Sequence, residues 1–369
     1  MAIQNQKPNL EAFKENPPCD IVNPLEAKAA ITPIPPTVSR VSPSLSPTEN
    51  RENTTFSTIR QGTATNALTK VKADPKQNTV IDPITGTATI TQGNLTITIP
   101  DFTELTGFKT STYQLLDALT VVLTESGAKS PVVALSLEEY MIKRGLKDKK
   151  EARKQAVEDL ENLYNATISF KEKRKKGQQE QDFHDIRIID SKGIKNGIIN
   201  VSFGTTFYNI LLSYPVMPYP SQLWTLNSKR NPNSFYLLRK ISEHKNMNVG
   251  KKNEDVIAVK TLLAVAPYLP SYEEVMKADR HLDQRIIKPF ERDMDALGST
   301  LTWYYCHSNN TPLTDEEIAV MNYETFTGLL IRTSWKNYPD QTARLEKKAE
   351  RIEQKKKRKT SKKKKSDTE

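Results

Sequence analysis

Apolar positions along the chain change their spacing several times, and each change marks an element. Over residues 1–78 they are isolated and aperiodic among Pro, Ser, Thr and Asn, as at Pro35-Pro36 and Thr54-Thr55. Such a stretch buries too little surface to offset its ordering entropy, so it reads as a disordered arm, either a plain linker or a device for partner capture. From Thr85 to Ile99, Thr and Ile alternate on both sides of Gln92-Gly93-Asn94, the period of a β-hairpin, which places one at 79–100, leading into the core. The spacing then lengthens to that of a helix over 112–126, where Leu115, Leu116, Leu119, Val122 and Leu123 share a face, Thr110 or Ser111 offers a cap and Gly127 ends the run.

A β-branched run at 132–135 precedes Ser136 and Glu139, the spacing of a capping box that opens a helix over 137–144, stopped by Gly145. Asp148 caps a longer helix reaching about Asn165, with Ala152, Ala156, Val157, Leu160, Leu163 and Tyr164 as its apolar stripe. Two helices joined by so short a turn predict a helix-turn-helix. Alternating runs at 166–170 and 183–189 flank the polar, basic segment 171–181, which predicts a wing with a charged tip; a third run at 197–203 extends that sheet. A short helix at 207–212 precedes Pro215, Pro218 and Pro220.

The second half repeats this order without evident residue identity. Helices are expected at 234–244 and 257–265, and the pair Ser271 and Glu274 opens a helical stretch to about Leu297 that Pro289 should kink or break. Strand-like runs at 300–306 and 326–335 make a second hairpin, with a short helix at 315–321 inside an enlarged wing. The pattern as a whole predicts an α+β chain: two tandem winged helix-turn-helix domains at 101–214 and 234–340, a connector at 215–233, and a basic, Lys-rich tail at 341–369.

Composition agrees with an incompletely folded chain: 36% hydrophobic residues and a mean hydropathy of −0.61 fall below the share usual for compact domains. The net charge of +10 is concentrated. Residues 341–369 hold thirteen Lys or Arg against five Asp or Glu, so residues 1–340 are close to neutral, and basicity alone is weak ground for a nucleic-acid partner, since basic tails also bind acidic proteins and membranes. Cys19 and Cys306 are too far apart to suggest a disulfide framework or a thiolate metal site, which fits a reducing compartment. No apolar run reaches the length of a membrane span and none resembles a signal peptide, so a soluble, cytoplasmic protein without membrane contact is expected.

Several catalytic classes fail on spacing. His184, His244, His281 and His307 include no pair one residue apart, as metal-dependent rolling-circle nicking requires. Gly250-Lys251 has Lys245 where a phosphate-binding loop needs glycine, and Lys252 where it needs Ser or Thr. The acid clusters Glu138-Glu139 and Asp315-Glu316-Glu317 sit at helix starts, where they offset the helix dipole. No enzyme activity, cofactor or metal is therefore expected.

What remains is a pattern for duplex DNA. Lys149, Lys150, Arg153 and Lys154 crowd the first two turns of the Asp148 helix, the part of a recognition helix that meets base edges. Lys171, Lys173, Arg174, Lys175 and Lys176 are dense enough to track phosphates. In the second half, Arg280, Gln284, Arg285 and Lys288 lie among Asp279, Asp283, Glu291 and Asp293, so that helix either reads bases or is a salt-bridged exposed face. Trp303, Tyr304, Tyr305 and Trp335 are either wing core or a platform for unpaired bases.

The block Ser234-Phe235-Tyr236-Leu237-Leu238-Arg239, the turn Leu269-Pro270-Ser271-Tyr272 and the run Ile287-Lys288-Pro289-Phe290-Glu291-Arg292-Asp293-Met294-Asp295-Ala296-Leu297 resemble the C-terminal winged helix of plasmid replication initiators, and the first half is similar in layout to their N-terminal unit. The resemblance spans 101–340 in layout. It implies binding to repeated origin sites on double-stranded DNA, recruitment of host replication proteins, and homodimers that repress the gene's own promoter. The arm and the Lys-rich tail depart from that family's core and leave plasmid, phage and other mobile-element versions open. A transcriptional repressor on the same fold, a scaffold acting through the basic tail and a metal-dependent nuclease are the rival readings.

Overall fold

The computed structural model describes residues 56–62, 65–66, 79–92, 95–99, 109–172, 181–277, 281–343, 345–346 and 350. Most of residues 1–78 and of 341–369, assigned to the arm and the tail, thus lie outside the described residues. The described part belongs to one compact unit beginning at Asn50.

Strand β1 (Phe56–Arg60) is followed by β2 (Thr79–Ile81), β3 (Ala88–Gln92) and β4 (Leu95–Ile99), then helix α1 (Thr110–Glu125). Next come β5 (Val132–Ser136), α2 (Leu137–Lys143), α3 (Lys149–Asn165), β6 (Thr167–Glu172), β7 (Gln181–Arg187), β8 (Ile189–Lys195), β9 (Ile198–Phe203), α4 (Thr205–Ser213) and β10 (Val216–Pro220). The β3–β4 hairpin and helices α1, α2 and α3 stand where hydrophobic spacing puts them, because each spacing matches one face of an element against one core.

The sheets depart from expectation. The β6–β7 pair does not share a sheet with residues 198–203; it completes a five-stranded sheet in the order β2-β3-β4-β6-β7. β9 pairs instead with β5 and β8 in a three-stranded sheet ordered β5-β9-β8. The chain crosses between the two sheets at Ile188, the single residue separating β7 from β8, so one extended run serves both. The turn between β8 and β9 is Asn196-Gly197, both at positive φ (52° and 74°), the backbone of a tight type I′ hairpin that asparagine and glycine tolerate best.

A second departure concerns Phe56–Arg60 and Val216–Pro220, assigned to the arm and to the connector. They pair antiparallel, with Ile59 opposite Met217. The outer edge of β1 is satisfied by α1: Glu125 Oε1 accepts from the Thr58 amide and Thr124 Oγ1 from the Arg60 amide. The Arg60 guanidinium donates to the carbonyls of Leu212 and Tyr214. Gly62 follows because a Cβ there would lie 2.4 Å from the Tyr214 ring. Composition missed this strand because its partner is distant in sequence and Ile59 alone of its residues is fully buried.

The second repeat runs α5 (Ser234–Asn248), β11 (Val256–Ala258), α6 (Val259–Leu263), α7 (Tyr272–Lys277), α8 (Lys288–Asp295), β12 (Leu301–Cys306), α9 (Asp315–Ala319), α10 (Tyr323–Gly328) and β13 (Leu330–Trp335). Its sheet order, β11-β13-β12, matches β5-β9-β8: in each, the strand before the helix pair joins the last strand of the hairpin. The helical stretch expected to reach Leu297, with a kink or break at Pro289, breaks earlier in the chain. His281 has φ of +57°, and Asp283–Ile287 is a π-helical turn in which the Lys288 amide donates to the Asp283 carbonyl. Pro289 lies in the first turn of α8, where its missing N–H costs little. Residues 326–329, expected as strand, belong largely to α10, since Asn322 Oδ1 caps the Thr325 amide and Phe326 is buried against Phe290.

A single apolar core runs through both repeats. At its centre α1 is buried along nearly its whole length, so its polar side chains need partners inside the protein. Asp117 pairs with Arg239 of α5 and accepts from Tyr219 Oη at 2.9 Å; Gln114 donates to the Leu223 carbonyl. Asp293 ties α8 to the start of α5, its Oδ2 accepting from both the backbone and side-chain nitrogens of Asn233.

Candidate nucleic-acid interface

The helix-turn-helix is built from α2 and α3. Ser136 Oγ caps α2 by accepting from the Glu139 amide, and Asp148 Oδ1 caps α3 by accepting from the Lys150 amide at 2.8 Å. Between them Gly145 takes φ of +63° to end α2. Ala152, Ala156, Leu160 and Leu163 form the inner stripe of α3, each no more than 2% exposed. The small side chains at 152 and 156 leave room for close approach to neighbouring elements.

One polar group also lies on this inner face. Asp159 Oδ1 accepts from Ser111 Oγ at 2.8 Å and Thr112 Oγ1 at 2.7 Å, both on α1. Burial pushes its carboxyl up to about 6, against the lowering pull of those two hydroxyls. This contact fixes the rotation of α3, because turning the helix would strand a buried carboxylate without its donors.

Lys149, Lys150, Arg153 and Lys154 all fall on the exposed side of α3, and none is paired with a carboxylate among the described residues. The carboxylates nearer the far end of α3 are engaged elsewhere: Glu158 with Lys109 at 3.9 Å and Glu161 with Lys192. The first two turns therefore present four cations to water, as the spacing implied.

The basic wing expected at 171–176 is not placed: Lys173, Arg174, Lys175 and Lys176 lie outside the described residues, and of Lys171 only the backbone is described, opposite Asp182 in the five-stranded sheet. The hairpin that shares a sheet with β5, the strand leading into α2, is β8–β9. It carries Lys192, half-buried over the Tyr164 ring and bound to Glu161, and Lys195, exposed beside the Asn196-Gly197 turn. Neither was singled out in the sequence. The signal was present, since Asn-Gly between alternating residues is a strong short-range mark of a hairpin.

In the second repeat the corresponding helix begins beyond the break at His281. Gln284 and Arg285 are exposed in its first turn, while Lys288 is held by Asp283 at 2.7 Å. Arg280 lies outside the described residues. The acids that seemed to balance this helix do not share one role: Asp293 is fully buried beneath α5, and Glu291 accepts from Tyr305 Oη at 3.0 Å. Tyr305 is core, Trp303 is half-buried with its indole donating to Asp295, and Tyr304 faces outward; Trp335 packs against Phe56 and Tyr338.

No family model and no curated protein matches the chain. Among solved structures it is similar to domains 2 and 3 of RctB in two crystal structures, both at 10% identity. One has a TM-score of 0.39 over 73% of this chain and 98% of that one, the other 0.38 over 73% and 96%. It is also similar to the WH1 domain of MSBI1.176, described as a replication protein isolated from a multiple sclerosis patient, at 12% identity and a TM-score of 0.23 over 32% of this chain and 86% of that one. These overlaps are too loose to carry any residue or role across.

Among the described residues no group of three or more His, Cys, Asp or Glu is placed to hold a metal ion. No described helix is long and apolar enough to cross a membrane.

Proposed function

We propose that this chain is a sequence-specific double-stranded DNA-binding protein built from two tandem winged-helix units. In this reading α3 enters a major groove with Lys149, Lys150, Arg153 and Lys154, while the β8–β9 hairpin lays Lys195 along the neighbouring phosphates. Gln284 and Arg285 read a second segment, and the work done is binding and distortion of the duplex without a covalent step. The observation that carries the reading is the division of α3: four cations outward with no carboxylate partner among the described residues, four small or aliphatic residues buried, and Asp159 locking the rotation between them.

Replication initiation at a plasmid or mobile-element origin, with recruitment of host replication proteins, is the specific role we assign, on the resemblance of residues 234–239, 269–272 and 287–297 to such initiators. Footprinting on DNA flanking the gene tests both levels. Repeated protected sites spaced by about one helical turn or its multiples support an initiator, and a reporter plasmid whose replication needs the protein separates it from a repressor. Absence of any protection at moderate salt overturns the DNA reading. Nicking of supercoiled DNA with Mg²⁺ or Mn²⁺ would overturn the non-enzymatic mechanism.

A further inference from the structure

Where the first repeat closes its β8–β9 hairpin with Asn196-Gly197, the second inserts residues 307–329 between β12 and β13. The insertion contains Asp315, Glu316, Glu317 and Glu324 and no Lys or Arg. Its helix α9 buries none of its residues, and it leaves Ile318 40% and Val320 80% exposed. Beside it the rings of Tyr272 and Tyr323 stack 4.7 Å apart over an open cavity of about 440 Å³ that Leu282 and Glu324 also line. His307 engages Glu317, but Asp315, Glu316 and Glu324 have no cationic partner among the described residues.

A helix without a buried face that holds aliphatic side chains in water gains from being covered. Uncompensated negative charge repels phosphate, so this enlarged wing is unsuited to the duplex and suited to a cationic chain. Lysine fits both halves of the surface: its stem covers Ile318, Val320 or a tyrosine face while its ammonium reaches a carboxylate. The protein carries such a segment, residues 355–365, with nine Lys or Arg and no acid. The chain enters that tail from beside α5, where Leu345 Cδ2 would lie 3.0 Å from a Cβ on Gly250. From residue 350 the chain to residues 355–365 extends at most roughly 15–50 Å.

We propose that in the absence of DNA residues 355–365 dock on the acidic insertion of the same chain, and that duplex DNA competes with the insertion for those cations. The test uses the full chain. Zero-length carbodiimide cross-linking without DNA, read by mass spectrometry, should join tail lysines to Asp315, Glu316 or Glu324, with a yield independent of protein concentration and lost at high salt. The variant Asp315→Asn, Glu316→Gln, Glu324→Gln should lose those links and bind DNA about three- to tenfold more tightly, as expected if roughly two thirds to nine tenths of free molecules are docked. The same three substitutions should change nothing once the nine tail cations are replaced by Gln. Links absent at these acids while other carboxylates react, a yield that rises with concentration, or an equal effect of the substitutions with and without the tail cations would each overturn the proposal. Because the cross-link is read without DNA, intact links in a protein that binds no duplex would sink the DNA reading and leave the docking standing.

Discussion

The two repeats share an order of helices and strands and differ in what they show to solvent. In the first, α3 exposes four cations with no carboxylate partner among the described residues, and the hairpin beside it ends in a two-residue turn next to Lys195. In the second, the equivalent helix exposes Gln284 and Arg285, ties Lys288 to Asp283, and stands beside an acidic, helical insertion. The same scaffold thus carries one face with four exposed cations and another that is nearly neutral. In the proposed function the first supplies most of the electrostatic affinity, and the second supplies a small number of discriminating contacts and a protein-facing wing.

The comparison fails first if the repeats fold separately. Arg239→Met leaves the buried Asp117, whose carboxyl burial already pushes up, without its cation, and removing one partner of such a pair costs about 3–5 kcal/mol. A single, shifted urea transition is expected, and the paired variant Asp117→Leu, Arg239→Met should recover much of the loss. Two transitions, one unmoved, would show two independent cores.

The charge contrast is tested next. Replacing Lys149, Lys150, Arg153 and Lys154 with Ala should lower duplex affinity by about 10²–10³-fold and flatten the log-log salt dependence by about 3–4, since each phosphate contact contributes about 0.9. Gln284→Ala with Arg285→Ala should flatten it by about 1 at most while relaxing sequence preference. Equal salt effects from both repeats would erase the distinction. All these side chains are exposed, so melting temperatures should stay put.

A third prediction concerns the anchor of α3. Asp159 titrates near 6 when folded against about 3.9 unfolded, so the folded state holds this proton more tightly. Its contribution to stability therefore grows as pH falls from 7 through 6 and levels off near 4, amounting at the limit to about 3 kcal/mol. The melting temperature of the wild type should rise relative to Asp159→Asn between pH 7 and 5, measured by calorimetry. A constant difference would show that this carboxylate is not desolvated. The smallest expected effect is that of Lys288→Ala, which should change affinity by less than about twofold, because Asp283 already neutralises that ammonium.

Much of the candidate site was legible along the chain because it is local. A cap at Asp148, a stripe at Ala152, Ala156, Val157, Leu160, Leu163 and Tyr164, of which Val157 proves exposed and Tyr164 half-buried, and cations between them together indicate which way a helix at 149–165 faces. The β8–β9 hairpin was legible too, through Asn196-Gly197. It was passed over because the denser cations at 171–176 drew the wing assignment to a neighbouring hairpin that belongs to another sheet. In the second repeat, acids and bases mixed on one helix suggested a balanced face, and only packing separates Asp293, which is buried, from Asp283, which is exposed.

Periodicity, caps and turn residues by themselves determined the kinds and order of most elements, since these depend on neighbours within one or two turns of chain. Tertiary structure alone decided which strands share a sheet, that β1 finds its partner at β10, and that Asp117 meets Arg239. The pairings of β5 with β9, β4 with β6 and β1 with β10, like that of Asp117 with Arg239, join residues more than 60 positions apart, and pattern within a segment says nothing about which distant surface will remove it from water.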